Sequence, residues 1–424
     1  MRDLFTPVSR DERQDEGVQK WINNKCKGTL EWATGTGKTI AAIKAVNRVL
    51  KKYPNFKILV IVPTDALVDQ WKKELSEKCA TSNYGVNTIN SAVTHTWTCD
   101  ILILDECHRL GSEVFSKVFT CIKYRLILGL TATMQRLDEK HTLIEKYCPI
   151  IDSIPLEIAV QNGWVSSFTE YKVYIDTDLS QYKEMNKEFT EHFSFFNYDW
   201  NLAVSMLGPE GFKARIKYRD QIYTGNDPKV KSDVFKNITY HATGLMRTVK
   251  QRKEFIYSHP KKIELAQEII KYRPTSKIVT FSATTKIAES IGIGYVYTGK
   301  DSKKKSRITL EEFSKLPYGV INTCKKLDEG VTVPGLNVAI VLGLDSSRTR
   351  ATQRTGRVIR KEPGKQVEIF TFVIRGTVEE EWFLNSHPNA SSIITIDEEN
   401  LMHVLRGEPY EQYKRKPMKM TFRF

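Results

Sequence analysis

The sequence has 424 residues, of which 41% are hydrophobic and 27% are charged. This length indicates two or three domains, and this composition is typical of a soluble globular protein. The longest aliphatic run is Ile58 to Val62, whereas a membrane-spanning helix needs about 20 apolar residues, so we expect no membrane span. The 64 Lys and Arg residues exceed the 50 Asp and Glu residues by 14, and this excess favours a polyanionic partner.

The N-terminus and the cysteines indicate the compartment. The first residues carry charges and lack the apolar segment of a secretory signal. The seven cysteines include no C-x-x-C pair, which favours a reducing compartment over a disulfide framework. We therefore expect a cytoplasmic protein.

Residues 25–160 alternate short apolar runs with stretches of helical length. The runs at 57–62, 101–104 and 125–130 are too short for helices, and each precedes a polar motif. Continuous apolar strands separated by helices predict an α/β fold with a parallel sheet covered on both faces. Ligands of such sheets bind beyond the carboxyl ends of the strands, where these polar motifs fall.

A glycine-rich segment, ATGTGKT at residues 33–39, is followed directly by a helical pattern at 40–50. Glycine lets the backbone approach a phosphate, and a helix N-terminus favours anions. A lysine at this place reaches the β- and γ-phosphates, and the next threonine helps to hold Mg²⁺. Trp32 takes the place of the first glycine of the strict motif. The segment predicts a nucleotide site formed by Thr34, Gly35, Thr36, Gly37, Lys38 and Thr39.

Two adjacent carboxylates, Asp105 and Glu106, follow the apolar run at 101–104. Asp105 at the strand tip suits Mg²⁺ coordination, and Glu106 suits polarisation of an attacking water. A solvated turn would explain such a pair by itself. Its position after both Lys38 and an apolar strand favours the catalytic interpretation.

The stretch at 166–255 has a different character, because 179–196 and 234–255 predict helices rich in aromatic and charged residues. The segment from Phe212 to Glu254 contains eleven basic and four acidic residues. This excess of basic residues fits either a solvated helical face or a nucleic-acid track. The aromatic cluster at 193–200 is consistent with core packing or with a platform on which bases stack. The basic C-terminal residues predict a solvated tail.

Residues 260–390 repeat the rhythm of the first region. Their apolar runs predict a second parallel sheet, and they lie at 277–282, 319–323, 338–342 and 367–373.

With these motifs the chain resembles superfamily-two helicases and translocases, and is most similar to the DExH-type, DNA-directed branch of restriction-type motors, repair helicases and phage branch-migration helicases. The resemblance implies two RecA-like parallel-sheet lobes with ATP between them and a helical, aromatic-rich, basic insertion. We expect lobe 1 at 1–165, the insertion at 166–255, lobe 2 at 256–390 and a C-terminal extension with the basic tail at 391–424. We expect a monomer.

Several lobe 1 segments carry the resemblance. Residues 12–21 resemble the upstream element whose glutamine, here Gln14, reads adenine. Residues 62–71 resemble the element that contacts nucleic-acid phosphates, which implies contacts at Pro63 and Thr64. Residues 129–138 resemble the T-A-T motif, with methionine in place of the usual proline. The resemblance implies that nucleotide and nucleic acid are coupled through His108, Thr131 and Thr133.

In lobe 2, residues 296–299 fit a strand, and the resemblance implies nucleic-acid contacts at Thr298, Gly299 and Thr323. Residues 328–334 resemble motif V and imply a nucleotide contact at Gly330. The sequence departs from the family pattern at two positions, with a threonine at 332 and a cysteine at 324. One contact with the ribose and one contact with a phosphate are therefore in question.

Residues 353–360 resemble motif VI without departure. Gln353 would orient water, Arg354 would couple the sites, and Arg357 and Arg360 would be arginine fingers. The transition state spreads negative charge over the γ-phosphate oxygens, so cations from across a cleft stabilise it only when the cleft is closed.

The resemblance thus implies an ATP- and Mg²⁺-dependent helicase or translocase that unwinds or branch-migrates single-stranded, forked or branched DNA. An RNA-directed remodelling ATPase stays open, because phosphate contacts tolerate either sugar. A third possibility is a binding module that keeps the fold without hydrolysis, against which the intact Lys38, Glu106 and Arg357 argue. The size of the chain suits a small viral or phage motor.

Overall fold

A computed structural model of the protein describes residues 8–112, 114–134, 141–324, 327, 333–387 and 393–413. The chain forms two α/β lobes, each built on a parallel sheet, with a helical insertion between the first two strands of the second sheet. No helix within these ranges combines the length and the apolar character that a membrane span requires.

Lobe 1 has a sheet of six parallel strands among the described residues, in the order β3-β2-β5-β7-β1-β8. The three predicted apolar runs form its central strands β2, β5 and β7, and their side chains are almost entirely buried. The strands are β1 (Lys27–Trp32), β2 (Ile58–Val62), β3 (Tyr84–Thr88), β5 (Ile101–Asp105), β7 (Leu126–Thr131) and β8 (Ile150–Ile154), and a separate pair is formed by β4 (Trp97–Thr98) and β6 (Ile122–Lys123).

Helices cover both faces of this sheet. The first helix begins at a capping box, in which the Ser9 side chain accepts from the backbone N–H of Glu12 and the Glu12 carboxylate accepts from the backbone N–H of Ser9. The helices are α1 (Arg10–Asn23), α2 (Lys38–Leu50), α3 (Asp65–Lys78), α4 (Ile89–Ala92), α5 (Val118–Cys121), α6 (His141–Tyr147) and α7 (Leu156–Gln161), with 3₁₀ turns at Cys107–Gly111 and Phe115–Lys117.

Lobe 2 has a sheet of seven parallel strands within the described ranges, in the order β11-β12-β10-β13-β14-β9-β15. The strands are β9 (Phe168–Ile175), β10 (Lys277–Phe281), β11 (Tyr295–Tyr297), β12 (Gly319–Thr323), β13 (Val338–Val341), β14 (Val367–Ile374) and β15 (Ile394–Ile396). Its helices are α12 (Pro260–Tyr272), α13 (Thr285–Ser290), α14 (Lys303–Lys315), α15 (Arg348–Val358), α16 (Glu379–Ser386) and α17 (Glu398–Arg406).

The lobe 2 sheet extends beyond the expected boundaries at residues 256 and 391. Strand β9, within the expected insertion, pairs with β14 over its full length, and β15, within the expected C-terminal extension, pairs with β9. Strand β9 contains two buried charged residues, which interrupt the apolar pattern that would have predicted a strand. Glu170 forms an ion pair with His387, and Lys172 donates to the hydroxyl of Tyr174. We therefore assign both strands to lobe 2.

The insertion proper consists of four helices, and its aromatic cluster divides between core and surface. Phe196 is fully buried against Ala203 and Ile238, so core packing explains it. Tyr198 and Trp200 are 47% and 43% exposed, which leaves the stacking hypothesis open for them. The helices are α8 (Ser180–Ser194), α9 (Trp200–Ser205), α10 (Gly211–Ile222) and α11 (Pro228–Tyr257).

Candidate active site between the two lobes

The glycine-rich segment forms a tight loop between β1 and α2. Gly35 and Gly37 have φ angles of 90° and 89°, in the left-handed region that favours glycine. A Cβ at Gly37 would lie 2.3 Å from Nε2 of Gln14. That same Nε2 donates to the carbonyl of Thr36 at 3.0 Å. The upstream glutamine predicted to read adenine therefore packs directly on this loop.

Lys38, the first residue of α2, lies at the centre of the charged groups. Its Nζ donates to the carbonyl of Trp32 at 2.9 Å. Burial lowers the pKa of Lys38, Glu106 and Asp105 act to raise it, and Arg360 and Arg357 lower it further. Two carboxylates at the end of β5 and two arginines at the end of α15 thus influence the pKa of the same lysine. The two lobes therefore meet at this point.

The two carboxylates occupy the carboxyl end of β5, as the sequence predicts. Oδ2 of Asp105 accepts from the indole Nε1 of Trp71 at 2.8 Å, and Oδ1 accepts from the backbone N–H of Glu106 at 3.0 Å. Burial, assisted by the neighbouring Glu106, raises the pKa of Asp105 to about 6. A buried carboxylate next to a second one favours a cation, and Mg²⁺ prefers such oxygen ligands, so Asp105 and Thr39 fit the ion.

The predicted coupling residues form one hydrogen-bonded chain. The Thr131 hydroxyl donates to the carbonyl of Thr133 at 2.7 Å. Nδ1 of His108 lies 3.0 Å from the same hydroxyl oxygen, and since the hydroxyl proton is already used, Nδ1 acts as the donor. Nδ1 also lies 3.4 Å from Oε2 of Glu106. A path of polar contacts therefore joins the carboxylate pair to the end of β7.

Glu31 and Trp71 belong to the site but were not predicted from the sequence. Glu31 lies in β1 and accepts from the backbone N–H of Met134 at 2.8 Å and from the hydroxyl of Ser153 at 3.0 Å. Trp71 lies in α3 and is fully buried. The contact of Glu31 with Met134 and that of Trp71 with Asp105 join segments far apart in the chain. No local pattern therefore indicates them.

Motif VI comes to the phosphate loop from lobe 2. A Cβ at Gly356 in α15 would lie 2.3 Å from Cγ2 of Thr34, so the helix and the loop touch. The linker residue Ser166 fixes the end of the motif, because its N–H donates to the carbonyl of Ile359 and its hydroxyl donates to that of Arg360. Burial and the neighbouring Arg357 lower the pKa of Arg360 to about 10.

Arg354, another motif VI residue, is directed into lobe 2. Gln353 and Arg354 are both buried. Nη1 of Arg354 donates to the carbonyl of Gly343 at 2.7 Å, and its guanidinium group lies 5.2 Å from the ring centre of Phe281. Arg354 therefore connects α15 with the carboxyl ends of β10 and β13, which suits coupling better than contact with a nucleotide.

The predicted nucleic-acid contacts have mixed placements. Pro63 and Thr64 lie between β2 and α3, and the Thr64 side chain caps α3. Thr298 and Thr323 are buried. The neighbouring residue Gly299 is exposed. Gly330, the predicted nucleotide contact of motif V, lies outside the described residues.

Two family models match the chain. The model of the type III restriction enzyme res subunit matches residues 8–96 and 91–136, and that of the helicase conserved C-terminal domain matches residues 261–362. The DNA 3'-5' translocase XPB2 of Sulfurisphaera tokodaii is 26% identical over 391 residues, which cover 86% of this chain and 82% of the relative. The chain belongs to superfamily two of the helicases and translocases. Like the other members of this superfamily, it is a nucleic-acid-stimulated ATPase.

Longer relatives and solved structures agree with this membership. The XPB helicase/translocase subunit of general transcription and DNA repair factor IIH from Drosophila melanogaster is 22% identical over 86% of this superfamily-two chain, which spans only 44% of that protein. The helicase domain of Pyrococcus furiosus Hef has a TM-score of 0.54 at 17% identity, covering 90% of this chain and all of that one. S. cerevisiae Dbp5, bound to RNA and ADP BeF3, has a TM-score of 0.57 at 12% identity, covering 93% and 91%. The two RecA-like lobes are confirmed.

Proposed function

We propose that this chain is an ATP-driven DNA motor that moves 3′ to 5′ and separates or branch-migrates duplexes. One observation supports a motor most directly: a Cβ at Gly356, the residue before Arg357 in lobe 2, would lie 2.3 Å from Cγ2 of Thr34 in the phosphate loop of lobe 1. Hydrolysis then depends on how the lobes are arranged, and nucleic acid lying across both lobes controls that arrangement. The similarity to a 3'-5' DNA translocase supports DNA as the track and this direction of travel.

In the proposed mechanism the phosphate loop holds ATP, and lobe 1 supplies the metal ligands. Backbone N–H groups of the segment from Thr34 to Thr39 bind the phosphates at the N-terminus of α2. Lys38 exchanges its contact with the Trp32 carbonyl for the β- and γ-phosphates. The Thr39 hydroxyl and the Asp105 carboxylate would hold Mg²⁺, and the ion would neutralise charge on the phosphates. Gln14 contacts adenine from its place on the loop.

Hydrolysis then requires groups from both lobes. A water oxygen attacks the γ-phosphorus while the bond to the β-phosphate oxygen breaks, and Glu106 accepts the proton that the water loses. Gln353 orients this water. Arg357 and Arg360 stabilise the negative charge that spreads over the γ-phosphate oxygens, and ADP leaves with the freed electron pair.

Polar contacts in lobe 1 would transmit a change at the γ-phosphate of the bound nucleotide. A change at the γ-phosphate alters the position of Glu106, and through His108 that change reaches Thr131 and Thr133. Glu31 binds the backbone of Met134, directly after this pair, and belongs to the strand that enters the phosphate loop. Arg354 serves the same purpose in lobe 2, and Pro63, Thr64 and Gly299 contact the strand.

Replacing Glu106 by glutamine tests its role in water activation. The amide keeps the size of the side chain but cannot accept the proton, so we expect ATP binding to persist and hydrolysis to slow by about 10²-fold. Single-turnover hydrolysis and equilibrium ATP binding measure the two effects. Glu77→Gln, an exposed position on α3, is the matched control and should hydrolyse at the wild-type rate. A wild-type rate in Glu106→Gln would move water activation to another group.

The choice of DNA over RNA has its own test. We expect single-stranded DNA to stimulate the ATPase more strongly than RNA of the same length and sequence, and binding to weaken steeply with salt because phosphate contacts dominate affinity. Steady-state ATPase assays with both strands measure the ratio. Stimulation by RNA alone would favour the RNA-directed remodelling alternative, and no turnover with either strand would favour the non-hydrolysing module.

We extend the proposal to the finer classification of the protein. Asp105, Glu106, Cys107 and His108 fit the DExH subtype, which includes phage branch-migration helicases. Both halves of the site come from one chain, which supports a monomer. The seven cysteines form no C-x-x-C pattern, which supports the cytoplasm, or the host cytoplasm for a phage protein. An unwinding panel of forked, four-way and tailed DNA would distinguish unwinding from branch migration.

A further inference from the structure

The tryptophan that replaces the first glycine of the phosphate-loop motif is packed beneath α1. Trp32 is fully buried, and a Cβ at Gly17 of α1 would lie 2.2 Å from its Cζ2 atom. The helix therefore approaches the indole ring more closely than any other residue at position 17 would allow. Arg13, also on α1, places its guanidinium group 5.4 Å from the centre of the same ring.

A single buried carboxylate joins this indole to α1. Oδ2 of Asp152, on β8, accepts from Nε1 of Trp32 at 2.8 Å and lies 2.6 Å from Nη2 of Arg13. Its other oxygen, Oδ1, accepts from the side chain of Lys20, near the end of the helix. The Asp152 side chain is only 2% exposed. Hydrogen bonds to a buried charged group are strong and directional, so this carboxylate fixes α1 against β1.

The helix held in this way carries Gln14, the residue next to Arg13. Gln14 is itself buried and donates to the Thr36 carbonyl in the phosphate loop. Its position therefore depends on two supports, one from the loop below and one from Asp152 through the neighbouring Arg13. The residue after Trp32 in the chain begins the loop. The indole thus lies where the base-reading helix and the phosphate-binding loop are joined.

We infer that Trp32, Asp152 and Arg13 are positioning residues that determine the preference of this site for adenine. They fix the position of the Gln14 side chain relative to the phosphate loop, so that this side chain can contact the base of a bound nucleotide. The phosphates are bound by the loop and by Lys38, so loss of the support affects base recognition and leaves phosphate recognition in place. This inference rests on the proposed function, in which Gln14 reads adenine.

The test is to replace Trp32 by phenylalanine in the full chain and to measure binding of ATP, GTP and inorganic tripolyphosphate by calorimetry. Phenylalanine keeps a ring beneath Gly17 and removes the N–H donor to Asp152. We expect the affinity for ATP to fall about tenfold, while the affinities for GTP and tripolyphosphate change by less than about twofold. The ratio of ATP to GTP affinity then falls by a similar factor.

Two further variants separate positioning from general stability. Trp21→Phe removes an indole donor from the same helix, where Nε1 binds the carbonyl of Ile127 at 2.9 Å, and it has no contact with Asp152. Because its indole donates to Ile127 and not to Asp152, this control should lower the thermal unfolding midpoint but keep the wild-type ratio of ATP to GTP affinity. Asp152→Asn keeps the size of the side chain without its charge and should reduce the ratio as Trp32→Phe does.

The outcomes distinguish this inference from the function on which it rests. If wild type prefers ATP and Trp32→Phe keeps that preference, or weakens all three ligands equally, the positioning role is wrong and the adenine contact stands. If wild type binds ATP no better than GTP or tripolyphosphate, the adenine contact of Gln14 is wrong, and the inference is wrong with it.

Discussion

Lys38→Ala should abolish ATP hydrolysis, with a loss of at least about 10³-fold, while salt-sensitive DNA binding persists. Lys38 is half-buried, its pKa is influenced by the carboxylates of Glu106 and Asp105, and its Nζ donates to the Trp32 carbonyl. In the ATP complex its ammonium group is the lobe 1 cation closest to the transferred phosphate, and alanine supplies no charge there. Steady-state ATPase and DNA-binding titrations over a range of salt concentrations measure the two effects.

The control for this change is Lys51→Ala, at the exposed end of the same helix. It removes the same charge from the chain and should leave the ATPase near its wild-type rate. Because Lys38 is half-buried, thermal unfolding should accompany the assay to show that the variant is folded. Full ATPase activity in a folded Lys38→Ala protein would contradict the assignment of the phosphate site.

Arg357→Ala should reduce the hydrolysis rate by roughly 10³-fold or more, the range expected for an arginine that stabilises the transition state of phosphoryl transfer. ATP binding should change little, because the loop, Lys38 and Gln14 belong to lobe 1. The expected signature is therefore a lower kcat with a nearly constant KM. Arg357→Lys should restore only part of the rate, since lysine lacks the planar group that binds two oxygens at once.

Arg307 provides the matched control for this prediction. It lies on α14 of lobe 2, its side chain is 81% exposed, and it forms an ion pair with Glu311 on the same helix. Arg307→Ala should keep the wild-type kcat. An equal loss in both variants would mean that net charge, rather than a guanidinium group at the nucleotide, governs the rate.

The sequence predicts the elements of this fold that are built from local patterns. Strands β2, β5 and β7 in lobe 1 and β13 in lobe 2 are built on continuous apolar runs, which are typical of a buried parallel strand. The phosphate loop is equally local, because two glycines, a lysine and the following helix are adjacent in the chain. Burial of Thr298 and Thr323 is different, since a motif gives a residue's position but not its exposure.

The rest depends on contacts between distant segments. Strand β9 contains Glu170 and Lys172. Nε2 of His387 lies 3.1 Å from Oε1 of Glu170, and Nζ of Lys172 lies 4.8 Å from the ring centre of Phe383, and both contacts are apparent only in the folded lobe. The same holds for the bonds that position the site: Trp71 to Asp105 spans 34 residues, Met134 to Glu31 spans 103, and Trp32 to Asp152 spans 120. No pattern within one segment encodes such pairs.

The central proposal is that ATP bound by lobe 1 is hydrolysed with the help of arginines from lobe 2. The most direct test is a structure of the chain with single-stranded DNA, ADP and a γ-phosphate mimic, in which the distance from the Arg357 guanidinium group to the mimic is measured. We predict a hydrogen bond of about 3 Å, with Nζ of Lys38 bound to the same mimic. A guanidinium group at more than twice that distance, in a site filled with both nucleotide and DNA, would contradict the proposal.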